Sequence, residues 1–505
     1  MKKILYLVTI FCAVALISCD DYLDLQSPDQ LTSGTFWRDQ NDAEAGLASA
    51  YSQLEYSINR WEFPEVKWPV EAYREDVVIL GADAYNYPNW VELATFSYTN
   101  GNSQFTSYWW NNYRGISFAN QVVEKVAEMP DNAIDPTIRT QIVNEAHFLR
   151  GYYHIKLLLN WKEIIIRDKY ITNQAELEKG LSSRSDAWEF IIQEFKTATA
   201  LPSSHNTDNL GRATSGAANA YLGFTYLTRA YEETSKKEEY LTEAVKAFDA
   251  VKGYELEKDF LSMFNSTNKN SKESIFELQL TMNAANGAAY QTSLHKWIGT
   301  EDLKGWEEIL PSPMLLNEFM KEGEIASTGF YDSRLYHSIF YKCDYFNDPE
   351  AKRVYGDTYD NFFVIKPIPV FRKFLPSRFE ELIPNFSAIN IPLMRYANVL
   401  LMKAEALNEL GRTSEAIPLI NQVRSVHGDM PAMTGTTKEE VKAQIEHERI
   451  IEFPLENFRW YDLRRWGKTK EALTAVGRGE NFKENEHSFY PVPLSELNAN
   501  SQIGK

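Results

Sequence analysis

Residues 395–420 read RYANVLLMKAEALNELGRTSEAIPLI, and this stretch decides the fold. Apolar residues recur at helical spacing on both sides of Gly411. Two helices are therefore expected, over 392–410 and 413–427. Ala404, Gly411 and Ala416 stand at offsets 0, 7 and 12. Stacked helix-pair repeats keep small residues at such places, because antiparallel helices must approach closely there. An ordinary helical hairpin also favours small residues at its contact, so the spacing leaves both readings open.

Outward from this pair the same periodicity predicts helices over 41–58, 104–129, 137–160, 184–200, 213–232 and 237–252. Further helices are expected over 437–453 and 455–475. Gly223, Ala230 and Ala244 form a second candidate pair with a longer connection. Residues 273–281 alternate as a strand, with Phe276, Leu278 and Leu280 on one face. Residues 60–103 and 282–390 are interrupted by Pro and Gly among aromatics, which predicts loops and short strands. The fold class is mainly α, with long irregular aromatic-rich insertions between the helix pairs.

The chain has 505 residues, 52 basic and 70 acidic side chains, a net charge of −18 and 44% hydrophobic residues. That composition fits a globular protein and opposes a disordered chain. The acidic excess opposes a nucleic-acid binder. Three cysteines exclude a disulfide scaffold. Lys2 and Lys3 precede an apolar run from Ile4 to Ile17, too short to span a bilayer and suited to a signal peptide. Leu16, Ile17, Ser18 and Cys19 resemble a bacterial lipobox. Residues 1–18 are thus expected to be removed and Cys19 to carry acyl chains, several of which anchor firmly. The remainder, 19–505, is expected to form one domain, with an N-terminal region over 19–230 and a C-terminal region over 231–505.

Six motifs stand in order along the chain. Asp24, Leu25, Pro28, Leu31, Thr32, Phe36 and Trp37 come first, then EAHFLRGYY at 145–153. Gly211, Arg212, Ala213, Thr214, Gly216 and Ala217 precede a helix, and RYANVLLMKAEA follows at 395–406. Glu448, Arg449, Glu452, Arg459, Trp460, Asp462, Arg464, Arg465 and Trp466 form the fifth, and Tyr490, Pro491, Val492 and Pro493 the last. Together they resemble the SusD/RagB family of Bacteroidetes outer-membrane lipoproteins, from residue 19 to about 497. A turn usual in the family after 145–159 is replaced here by Trp161–Arg167, and its usual ending is absent.

The resemblance implies tetratricopeptide-type helix pairs as a scaffold, with irregular segments as the binding face. It implies cell-surface capture of oligosaccharides and delivery to a partner SusC-like TonB-dependent transporter, with no catalytic activity and no cofactor. The acidic Asp20 and Asp21 after the anchor point to the cell exterior by the same resemblance. The alternative within the family is capture of peptides or glycopeptides, as in RagB-like members. A surface glycoside hydrolase is the rival of another class.

For that rival, Glu448 and Glu452 share a helix face, but neighbouring arginines would hold both ionised, wrong for a general acid. They are expected to form a structural ion-pair network. His447 lacks a second histidine at zinc-helix spacing, since Ile451 stands there. His147 and His154 are two turns apart, too far for one metal. Asp344, Asn347, Asp348 and Glu350 lack EF-hand spacing and read as a solvated turn. No metal site is expected.

Aromatics are the positive signal. Residues 61–113 hold 14 in 53 positions, about 26% against 13% for the chain. Flat rings can stack on the apolar faces of sugars at little cost in ordering entropy. Trp109, Trp110 and Tyr113 lie on a predicted helix and are expected to pack inward. Trp68, Tyr85, Tyr87, Asn89 and Trp90 lie among Pro, Asn and Asp, which points to surface loops and ligand contact. Trp90 is expected to project from a turn after Pro88. The resemblance adds Asp76 to this early group, and Tyr290, Trp297 and Trp306 from the later irregular segment. The expected binding surface is a shallow face built from 60–103 and 282–346.

Overall fold

A computed structural model of the chain describes residues 36–55, 67–282 and 290–504. The leader, Cys19 and its neighbouring aspartates lie outside them, as do residues 56–66 and 283–289. Among the described residues, no helix is long and apolar enough to cross a membrane.

Helices of eight residues or more are labelled α1 (Gln40–Ser52), α2 (Pro88–Thr95), α3 (Ser103–Ala127), α4 (Pro136–Asn160), α5 (Arg184–Ala198), α6 (Ser215–Glu232), α7 (Lys237–Asp249), α8 (Pro313–Met320), α9 (Tyr396–Glu409), α10 (Thr413–His427), α11 (Lys438–Glu452) and α12 (Arg459–Trp466). Short polar side chains start several of them. The side chains of Asn102, Asp135, Ser183 and Thr214 accept from free backbone N–H groups of the first turns of α3, α4, α5 and α6. Thr437 and Glu440 form a reciprocal capping box on α11.

Successive helices pack on one another: α3 on α4, α4 on α5, α5 on α6, α6 on α7, then α7 on α9 and α9 on α10 and α11. This is the order of stacked helical hairpins. Small residues sit at the contacts, as the spacing predicts. Ala404, Ala416, Ala230 and Ala244 are fully buried. A Cβ on Gly223 would run into the ring of Phe248, so glycine lets α6 and α7 close together.

Two predicted helices are revised. Residues 391–395 are a strand, β6, and α9 begins at Tyr396. Pro392 opposes a helix there, all five side chains are buried, and the backbone pairs instead with strand β2 (Ser274–Leu278), antiparallel. The expected helix over 455–475 breaks after Trp466, where Gly467 takes the left-handed conformation (φ 68°) that glycine adopts freely. A second short helix then covers Thr469–Ala475.

The irregular segments carry the remaining strand pairs. β1 (Val78–Leu80) pairs antiparallel with β3 (Ile309–Pro311), and β4 (Ile339–Phe340) with β5 (Val370–Phe371). The first pair joins the two segments that were expected to share a face. Its register sets Val78 opposite Pro311 and Leu80 opposite Ile309.

Candidate functional site

The β1–β3 ladder continues into a turn where Gly81 N–H donates to the Glu308 carbonyl at 3.0 Å and Asp83 N–H to the Glu307 carbonyl at 3.3 Å. Any Cβ at position 81 would overlap the Glu307 carbonyl, so this close approach requires glycine. A short 3₁₀ turn, Asp83–Asn86, then swings the chain into α2, whose first residue is Pro88 with its φ already set for a helix.

This geometry divides the candidate aromatics. Tyr85 is 64% exposed and Tyr87 44%. Asn89 is half-buried, and its amide donates to Ser103 Oγ at 2.7 Å. Trp90 faces inward from α2 and is 3% exposed. The expectation that Trp90 projects from a turn is therefore corrected. At the third position of a helix opened by Pro88, its indole is carried under the surface. It lies 3.9 Å from the Tyr87 ring, nearly parallel to it, and 4.7 Å from the ring of Trp297. Trp297, on a short helix Leu294–Ile298, is also buried. The two segments thus meet through Trp90 and Trp297 in the core, and Tyr87 is the part of that stack which reaches solvent.

Three other expectations change. Trp68 begins a helical turn, Trp68–Glu71, is wholly buried and meets Phe374 edge-on, so it lies on no surface loop. Asp76 is 2% exposed and holds Arg459 in two parallel bonds, Nε–Oδ1 at 2.8 Å and Nη2–Oδ2 at 2.7 Å. Its carboxylate is engaged inside the protein. Trp110, expected to pack inward, is 58% exposed on α3. Helical spacing turns it away from Trp109, which is buried and donates to Glu496. Trp306 is half-buried against the core, and Tyr290 is 44% exposed but lines a different cavity.

Beside Tyr85 lies a cavity of about 400 Å³, within the range of small-ligand sites. β1, with the half-exposed Ile79, and the end of α2 form one wall, and Gly477–Asn481 the other. Sequence reading missed this second wall, which stands almost 400 residues later. Arg478 clamps the walls together. Its guanidinium donates to the backbone carbonyls of Tyr73, Glu75 and Ala94, at 2.5, 2.6 and 2.7 Å. Burial pushes Arg478 down to about 10, so it remains a cation at neutral pH. Glu480 and Asn481 supply polar groups at the rim beside the Tyr85 phenol.

The carboxylates that suggested hydrolysis are locked in buried ion pairs. Glu448 meets Arg334 at 2.7 Å and Arg424 at 2.6 Å. Glu452 meets Arg395 and His427 at 2.9 Å and Arg334 at 3.0 Å. Burial alone would raise these carboxyls, but the adjacent cations outweigh it and hold both below the ordinary range. Asp462 is shared by Arg449 and Arg465. Asp348 accepts from two backbone N–H groups and from Arg353.

The comparisons agree with this architecture. Residues 272–505 match the family model described as SusD family, and residues 21–227 match one described as "Starch-binding associating with outer membrane". SusD-like protein P38 of Formosa agariphila is 25% identical over 100% of this chain and 99% of its own. A SusD superfamily protein from Bacteroides vulgatus has 26% identity and a TM-score of 0.81, covering 93% of this chain and 99% of its own. A laminarin-binding SusD-like protein, 22% identical, shares the fold with a TM-score of 0.73, covering 92% of this chain and 99% of its own. With its stacked helical hairpins, its two matched regions and relatives aligned along nearly the whole length, the chain belongs to the SusD/RagB family.

Proposed function

We propose that the chain binds oligosaccharides at the Tyr85–Tyr87 face and delivers them to a SusC-like TonB-dependent transporter, held at the outer membrane through Cys19. The observation that carries the binding half is the Tyr87–Trp90–Trp297 stack, which presents an exposed phenol ring braced from behind, next to a polar-rimmed cavity. A braced ring loses little entropy when a sugar face settles on it. Catalysis has no support from the paired carboxylates, since a general acid must hold a proton near neutral pH. That a SusD-like protein of the same fold binds laminarin accords with a carbohydrate ligand.

The test is calorimetric titration of the chain lacking residues 1–18 with a panel of oligosaccharides, β-1,3-glucans included. Saturable binding without release of shorter products, lost on Y85A/Y87A, is the expected result. Cleavage in proportion to protein, or binding indifferent to both tyrosines, would overturn the assignment. Delivery is tested separately, by co-purification with a TonB-dependent barrel from the native membrane.

A further inference from the structure

A second cavity of about 400 Å³ opens between one face of α1, the loop Asn209–Arg212, β2 and Tyr290. Leu47, Leu54 and Leu210 supply apolar wall, and Tyr51 and Tyr290 supply rings. Three carboxyl groups face it, those of Glu44, Glu55 and Glu277, against one guanidinium, that of Arg212. Arg212 is already engaged, with Nε on Glu145 at 2.7 Å and Nη1 on Glu44 at 3.0 Å. The Tyr51 hydroxyl donates to Glu145 at 2.7 Å. Glu277 accepts from the Asn270 N–H at 3.0 Å and the Asn390 amide at 2.7 Å. Lys269, whose charge acts on Glu277, donates to the Leu280 carbonyl.

Glu55 stands apart. It is 9% exposed, lines the cavity, and has no hydrogen-bond or ion-pair partner among the described residues. An unpartnered buried carboxyl is costly, and a complementary ligand would remove that cost. Glu44 and Glu277 are already engaged, so Glu55 is the carboxyl left to pair with a ligand, and an ammonium is the group that pairs with it once ionised. The amide nitrogen of Asn209 can donate to a ring hydroxyl, while the Gln279 amide is engaged by Asn270, Asn390 and the Glu277 carbonyl.

We propose that this cavity binds an amino sugar, its ammonium paired with Glu55 and its ring held between the tyrosine and leucine walls. The site is separate from the Tyr85 face, and the inference does not rest on binding there. Burial pushes the Glu55 carboxyl up to about 8, so the empty site carries a proton near neutral pH. Capture of an ammonium ionises the carboxyl and expels that proton to solvent, while the ligand keeps its own.

The experiment is titration at about pH 6.5 with a β-1,4-glucosamine trimer and its N-acetylated counterpart, in two buffers of different ionisation enthalpy. The glucosamine trimer should bind with release of about one proton per chain, and the acetylated trimer about tenfold or more weakly without release. E55Q should lose both the preference and the proton while melting no lower than the parent. Y85A/Y87A should retain them, which separates failure here from failure of the first face. Equal affinity for the two trimers, no proton release, or an E55Q variant that still discriminates would overturn the assignment. A lysine-containing tripeptide that binds tighter than the glucosamine trimer, with the same release, would overturn the sugar class.

Discussion

The phenol of Tyr87 lies almost flat against the indole of Trp90, 3.9 Å apart and 26° from parallel, with one ring 44% exposed and the other 3%. The pair couples a surface contact to the core, and the two residues should separate on mutation. Tyr87→Ala is expected to weaken oligosaccharide binding about thirtyfold, the size of a ~2 kcal/mol contact, with little change in melting. Trp90→Ala should cost about 3–5 kcal/mol of stability and weaken binding as a consequence. Calorimetric titration and thermal melting of both variants check this, and a Trp90→Ala protein of unchanged stability would contradict its place in the core.

Asp76 and Arg459 join chain regions almost 400 residues apart. Removing one partner strands the other charge in a buried setting, so Asp76→Ala should destabilise by about 3–5 kcal/mol. Asp76→Leu with Arg459→Met should recover much of that loss, because no charge is then left uncompensated. Urea unfolding of the single and double variants measures it. An Asp76→Ala protein of parental stability that fails to bind sugar would return Asp76 to the ligand surface.

The long helices were legible because their apolar period is local and their caps are single residues. Both halves of the 395–420 stretch and α4 fall within a residue or so of expectation, apart from the start of α9. That start was hidden because β6 owes its shape to β2, more than 100 residues earlier, a pairing that no local pattern carries. The same reason governs the site. Pro, Asn and Asp around Trp90 predict a surface loop; Tyr85 and Tyr87 are exposed there, but Trp90 is carried inward on α2. Which aromatics turn inward depends on α2 packing against the Trp297 helix, a tertiary fact. The Arg478 wall carries no aromatic and no motif, so nothing in its composition announced it.

The anchor gives a prediction independent of the site. If Cys19 is acylated, Cys19→Ala should abolish metabolic labelling with a fatty acid and release the protein from the membrane fraction. The folded domain should be unaffected, with the same melting temperature as the chain lacking residues 1–18. Continued partition into detergent by the Cys19→Ala protein would contradict the lipobox.

Gly81 tests the join between the two segments. A Cβ there overlaps backbone, which cannot swing aside as a flexible side chain would. Gly81→Ala should therefore displace the 307–308 turn, break the bond from position 81 to the Glu308 carbonyl and lower oligosaccharide affinity. The helical scaffold lies elsewhere, so far-ultraviolet circular dichroism should stay unchanged. Unaltered affinity would show that the β1–β3 join does not position the Tyr85 face.

His427 sets an alkaline limit on stability. Its imidazole lies between Glu273 (3.0 Å) and Glu452 (2.9 Å), all three fully buried, with Arg395 on both carboxylates. Burial by itself would push the imidazole down, but the two carboxylates outweigh it and raise it to about 9. The unfolded chain has the ordinary value near 6.5. The folded state therefore binds this proton more tightly than the unfolded state. By linkage, the contribution is fully present below about pH 6.5 and declines as the pH rises, being lost by the time it passes 9. Above that range a neutral imidazole leaves two carboxylates with less positive charge between them. The unfolding free energy should accordingly fall between about pH 7 and 9 in the parent. His427→Gln keeps a hydrogen-bonding side chain but cannot take up the proton. It should be less stable at pH 6, with a flatter profile over the same window. Denaturant unfolding across that range measures both slopes, and a parent profile as flat as that of His427→Gln would mean that the imidazole between Glu273 and Glu452 is neutral.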